Sequence, residues 1–172
     1  MNSPKSTKSK RRQLRESALQ ALYAYEMTGE GLENLITSNL MEVRAEHDRE
    51  FFRSLIQRTV INKKDTDALV QEVVNNWELE RLAIIDLIII RMGITELKFF
   101  PEIPPKVSIN ECLELAKEFS THSSARFING ILDRVLGKLK EFNDLNKSGR
   151  GLLSNSIPNS LPQSDDSTES SS

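Results

Sequence analysis

The side chains of this chain best suited to engage a ligand are cations crowded at its start. Lys5, Lys8, Lys10, Arg11, Arg12 and Arg15 place +6 in the first fifteen residues, with no acid before Glu16. The whole chain of 172 residues sums to −2, which leaves −8 on the remainder. A basic arm on an acidic body calls for a localised anionic partner rather than a surface coated all over by nucleic acid. At 100° per residue, Arg12, Arg15, Leu19 and Tyr23 line up on one side of a helix. Cations ending in an exposed aromatic suit a single-stranded nucleic acid, which offers phosphates to pair and bases to stack. A solvated charged face with one unengaged tyrosine is the plain alternative.

Other chemistry finds little support. His47 and His122 stand far apart in polar surroundings, without a partner at metal-ligand or triad spacing. Gly137-Lys138 lacks the earlier glycine and the following hydroxyl of a phosphate loop, and neither GxGxxG nor GxSxG occurs. Glu78, Glu80, Glu111 and Glu114 have helical spacing, but capping or solvation accounts for them. The single Cys112 excludes an intramolecular disulfide and a multi-cysteine zinc site; within a helical pattern it reads as a small core filler. No catalytic activity, metal or cofactor is expected.

These groups need a frame, and the sequence predicts an all-helical one. Its centre is Leu82 to Ile94, LAIIDLIIIRMGI, apolar except for Asp86, Arg91 and Gly93. With no polar face it reads as a helix buried on nearly all sides, too short to span a bilayer. Asp86 and Arg91 lie five residues apart, so they cannot pair with each other as i,i+4 partners do. Each needs another partner or solvent. The central helix should run from about Glu78 to Phe99 and stop at the prolines of FFPEIPP. Before it the pattern predicts helices over Ser9–Met27 and Leu32–Val43, then one opening at Glu46 or Asp48 and closed by Lys63 and Lys64. A fourth is N-capped by Asp65, with Trp77 a candidate inward group. After the centre, a helix opens at the Ser108–Glu111 capping box or at Pro105. A last one is N-capped by Ser123 or Ser124 and runs to Phe142. Gly130 within it costs about 1 kcal/mol relative to Ala and is expected to mark close helix approach. Residues 1–8 read as a flexible arm, 9–145 as the helical domain, and 146–172 as a disordered Ser-rich tail. No signal peptide or membrane segment is evident, so a cytoplasmic location is the expectation.

Four blocks, KRRQLRESALQALYAYE, NWELERLAIIDLIIIRMGITEL, IPPKVSINECLELAKEFS and RFINGILDRVL, together resemble the NusB family of bacterial transcription antitermination factors. The resemblance spans roughly Lys10 to Leu139, and IPPKVSINE followed by FINGILD is its most specific pair. It implies an all-α fold of about six to seven helices in two small packed bundles. It implies a non-enzymatic adaptor that binds the single-stranded boxA element of nascent ribosomal RNA as a heterodimer with NusE, a small-subunit ribosomal protein. That pair acts with other Nus factors on RNA polymerase; a homodimer is an alternative free state. Carried over residue by residue, Lys10, Arg11, Arg12 and Arg15 are the expected phosphate contacts. Tyr23 falls at the NusE- and RNA-proximal surface, Asp86 faces NusE, and Ser123, Arg126, Phe127 and Asn129 adjoin the RNA. Ser123 stands where some members carry an acid, which bears on partner or RNA affinity. Phe127 could equally be core, and Asn129 could cap or bridge helices. Two rivals stand beside this reading: a protein-interaction adaptor without a direct RNA role, and a domain of an RNA-modifying enzyme. The chain is too short to hold the catalytic part of the second.

Overall fold

The structure, a computed structural model, describes residues 7–74 and 76–155, apart from the side chains of residues 76–78, 154 and 155. Among the described residues run eight α-helices: α1 (Lys10–Thr28), α2 (Leu32–Leu40), α3 (Glu46–Ile61), α4 (Lys63–Val73), α5 (Asn76–Arg81), α6 (Ile84–Phe99), α7 (Pro105–Phe119) and α8 (His122–Glu141). A short 3-10 segment, Gly149–Asn155, follows them. No described helix is long and apolar enough to cross a membrane. The expected all-α architecture is the observed one, and Trp77 lies outside the described side chains.

Local chemistry explains the first helix. The Ser9 hydroxyl accepts the Arg12 N–H at 3.2 Å, satisfying one orphan donor of the first turn. Gly29 closes the helix at φ +69°, donating its N–H to the Tyr25 carbonyl, a left-handed conformation that suits glycine. α6 is the hub: it packs against α1, α3, α4, α7 and α8. Every residue from Ile88 to Leu97 is buried. One core joins the α1–α3 side to the α4, α7 and α8 side, so the two expected bundles share this helix.

The central element is shorter than predicted. Ala83 is extended at φ −60° and ψ 140°, which separates α5 from α6 and raises the helix count above the expected six to seven. Asp86 therefore falls in the first turn of α6, where its charge complements the helix dipole. Arg91 resolves its charge by forking onto Asp67 at 2.7 and 2.8 Å, with Glu26 at 3.4 Å. This ties α1, α4 and α6 together.

Other boundaries shift as well. α7 opens with Pro105 in its first turn, and Ser108 is fully buried, donating its hydroxyl to Glu96 at 3.2 Å rather than capping. Thr121, not Ser123 or Ser124, caps α8 by accepting the Ser124 N–H at 2.9 Å. Asp65 lies inside the first turn of α4, whose cap is Asn62. Lys63 and Lys64 accordingly open α4 instead of closing α3, and Lys63 pairs with Glu26 at 2.7 Å. Gly130 is not the site of close approach: a Cβ there would meet nothing within 4 Å. Gly93 is that site, since a Cβ would come within 2.9 Å of Cys112 Sγ and 3.0 Å of Leu132 Cδ2.

Of the tail expected to be disordered over 146–172, the part as far as the 3-10 segment is engaged, and residues 156–172 lie outside the described residues. Lys147 Nζ donates to the Glu96 and Phe100 carbonyls at 3.1 and 2.9 Å, supplying the cation that a helix C-terminus favours. Ser148 N–H donates to the Pro101 carbonyl at 3.0 Å. Gly151 is buried against Pro101, where a Cβ would collide with that carbonyl oxygen. Burial lowers the Lys147 pKa from its ordinary value.

Candidate functional site

The N-terminal cations divide into three kinds. Lys10 is exposed on the first turn of α1. Arg11 lies 4.0 Å over the Phe51 ring, with Asp48 at 3.8 Å, and keeps part of its guanidinium in solvent. Arg12 forks onto Glu111 of α7, its Nε donating at 2.9 Å and its Nη2 at 3.1 Å. That carboxylate raises the Arg12 pKa. One residue before α1's cap, Lys8 Nζ donates to both oxygens of Glu118 at 2.7 and 2.9 Å and stands 2.7 Å from Glu16. The pairing raises the Lys8 pKa and lowers that of Glu118.

Arg15 departs from the expected phosphate-contact face. It is 3% exposed, and its guanidinium forks onto Glu96 at 2.9 and 2.7 Å in the interior. Burial works against its charge, yet the Glu96 and Glu111 carboxylates together hold the guanidinium above its ordinary value. Leu19, on the same predicted face, is also in the core. The cause is the packing of α1, which meets α2 and α3 as well as α6 and so has a wider buried arc than one stripe predicts. Tyr23 does reach the surface, at 39% exposure.

The α8 entrance forms a second group. Ser123 is exposed, while Ser124 beside it donates its hydroxyl to Asp86 Oδ2 at 2.7 Å. Ser120 and Thr121 hydroxyls both lie 3.0 Å from Ser124 Oγ. Asp86 is 5% exposed, so it does not project outward as expected. Its second oxygen, Oδ1, is buried without a hydrogen-bond partner among the described residues. Arg126 is exposed between two shallow depressions. One is shared with Ser123, Phe127 and Arg134, the other with Lys117, His122 and Asn129. Phe127 is half-buried, packing on the core with one side while lining the first depression with the other. α7 bridges the two groups: Glu111 and Glu118 meet the arm, and Leu113 and Lys117 meet the Arg126–Asn129 depression.

The spacing argument missed the acids that hold these cations, Glu96, Glu111, Glu16 and Glu118. For Glu96 a signal existed. It is a lone acid in the run ITELKFF, and a buried acid demands a cation. The surface acids carry no such signal, because nothing in sequence spacing links α1 to α7.

Comparison with known proteins matches residues 12–137 to the model of the NusB family. A transcription antitermination protein NusB of Chloroherpeton thalassium is 41% identical over 145 residues, covering 83% of this chain and 69% of that one. Its counterpart in Salinibacter ruber is 39% identical over 148 residues, covering 84% and 92%. Among solved structures, NusB of T. maritima superposes with TM-score 0.69 at 31% identity, over 83% of this chain and 99% of that one. A crystal structure of antitermination factors NusB and NusE in complex with dsRNA superposes with TM-score 0.67 at 21% identity, over 75% and 97%, and attests the fold.

Proposed function

The chain belongs to the NusB family, and from that premise we propose that it is a transcription antitermination factor. It binds boxA-type single-stranded RNA of nascent ribosomal transcripts as a heterodimer with NusE, and acts with other Nus factors on RNA polymerase. It works in the cytoplasm as an adaptor and not as a catalyst. The observation that carries the reading is the family match across α1 to α8, residues 12–137.

The chemistry is additive. Lys10 and Arg11 meet phosphates first, being the cations of α1 least committed within the chain, and Arg12 joins them when it leaves Glu111. Arg126 and Asn129 continue the path on α8, with the free edge of Phe127 and the Tyr23 ring offering stacking surfaces. Arg15 acts at one remove, fixing the start of α1 on α6 through Glu96. Ser123, Tyr23 and the Asp86–Ser124 pair belong to the NusE side. Asp86, being buried, acts there through Ser124, whose hydroxyl it holds at the α8 entrance.

The test is a titration of the chain alone and with NusE against boxA-type and scrambled RNA. Tighter binding of boxA in the presence of NusE is expected, and Lys10→Ala with Arg11→Ala should weaken it and make its salt dependence shallower. Equal binding of both RNAs with NusE present would sink the proposal. One observation favours a rival, a protein-interaction adaptor without direct RNA contact: Arg12 and Arg15 are already paired with carboxylates of their own chain. Under that rival the double substitution leaves RNA binding by the heterodimer unchanged.

A further inference from the structure

Two cations flanking the cap of α1 are held by carboxylates of one distant helix, and the form of the contact resembles phosphate binding. Lys8 donates to both oxygens of Glu118, and Arg12 forks onto both oxygens of Glu111. Glu111 and Glu118 are seven residues apart, two turns of α7, and therefore share a face. Glu16 adds a second acid at Lys8. A carboxylate meeting a guanidinium fork presents the same planar pair of oxygens as a phosphate does. The Lys8–Glu118 pair is open to solvent, its side chains 40% and 45% exposed, and the Arg12–Glu111 pair is partly so, at 33% and 15%.

We infer that Glu111 and Glu118 are specificity-determining residues of the RNA site: they occupy the phosphate positions of Lys8 and Arg12 in the free chain and must be displaced by RNA. This rests on the RNA-binding function proposed above. A strand that offers phosphates alone gains little from Lys8 or Arg12, because each new ion pair costs an existing one and leaves an acid bare. A strand that also makes base contacts, along α8 or through the partner, gains enough elsewhere to complete the exchange. The two acids thus lower affinity for every RNA but lower it most for the wrong one, which is how a repulsive element sharpens selectivity.

The exchange has a distinctive salt signature. Neutralising a phosphate releases counterions, but an uncovered carboxylate takes one up, so a clamped cation adds little to the salt slope. Glu118→Gln should leave Lys8 held by Glu16 alone, steepen the slope for scrambled single-stranded RNA by up to about 0.7, and tighten its binding by up to about fivefold, the weight of an exposed ion pair. Binding of boxA with NusE should tighten less, so the ratio of the two affinities falls.

A double-substitution cycle separates the clamp from a general loss of negative charge. In a Lys8→Gln background the gain from Glu118→Gln should vanish, whereas a field effect would persist. Glu118 is exposed, so neither variant threatens the fold, and Glu111→Gln paired with Arg12→Gln repeats the cycle at the second clamp. Retention on immobilised heparin supplies a readout that needs no particular RNA. Gains on heparin and RNA that depend on Lys8 support the clamp. Gains equal in both backgrounds, or none, overturn it. A Lys8-dependent gain on heparin with no RNA binding by any variant would place the failure in the proposed function and leave the clamp standing for polyanions.

Discussion

Arg15 shows how one residue can be read correctly for chemistry and wrongly for place. Its charge, its neighbours and the family resemblance all pointed to phosphate, yet its guanidinium lies in the core against Glu96. Replacing it with Ala would strand the Glu96 carboxylate, at 0% exposure, with only the Ser108 hydroxyl as a side-chain donor among the described residues. Breaking a buried pair from one side costs about 3–5 kcal/mol. Arg15→Ala should therefore lower the urea midpoint of unfolding by a margin that Lys10→Ala does not approach. Unchanged stability with lost RNA affinity would return Arg15 to the surface account. What the sequence left illegible here is the partner: the cation and the acid are 81 positions apart, and no local spacing couples them. The charges of Asp86 and Arg91 were legible as problems needing solutions. The solutions, Ser124 and Asp67, again come from other helices.

At the level of whole helices, existence and apolar faces were readable while ends and contacts were not. α7 and α8 each bury residues at helical spacing, Ile109, Cys112 and Ala116 on one and Ile128, Leu132 and Val135 on the other, in one core. Caps were less legible because Thr121, Ser123 and Ser124 are chemically near-equivalent candidates, and the geometry of the turn after Phe119 chooses among them. Glycine was misassigned for a related reason. Sequence shows that Gly130 and Gly93 both interrupt helices, but only packing shows which one a neighbour needs. Gly93→Ala should force the Cys112 and Leu132 side chains aside and destabilise the fold by about 1–3 kcal/mol. Gly130→Ala meets open space and should stabilise α8 by up to about 1 kcal/mol through helix propensity. Thermal unfolding of the two variants tests the pair at once, and a destabilised Gly130→Ala would restore the expected contact at that position.

For the whole molecule the question is how much of the basic arm is available to an anion. Among the described residues the sequence offers Lys8, Lys10, Arg11, Arg12, Arg15 and Arg126 as six cations at the N-terminal arm and the α8 entrance. If each neutralised one phosphate, the log–log salt slope for single-stranded RNA would be about −4. The folded chain divides that number. Arg15 is spent in the core, while Lys8 and Arg12 are engaged by acids of α7. Lys10, Arg11 and Arg126 remain, and three phosphates give a slope of about −2. Charge is conserved between the two counts, and only its commitment differs, which is why a tally of residues overstates the electrostatics of this surface. Titrating the chain with single-stranded RNA from low to physiological salt, without NusE, measures the slope directly. A value near −2 is expected from the paired arm. A value near −4 would mean that the α7 carboxylates and Glu96 release their cations on binding without taking up counterions. The arm would then act as an open cluster, and the acidic body would have no hold on it.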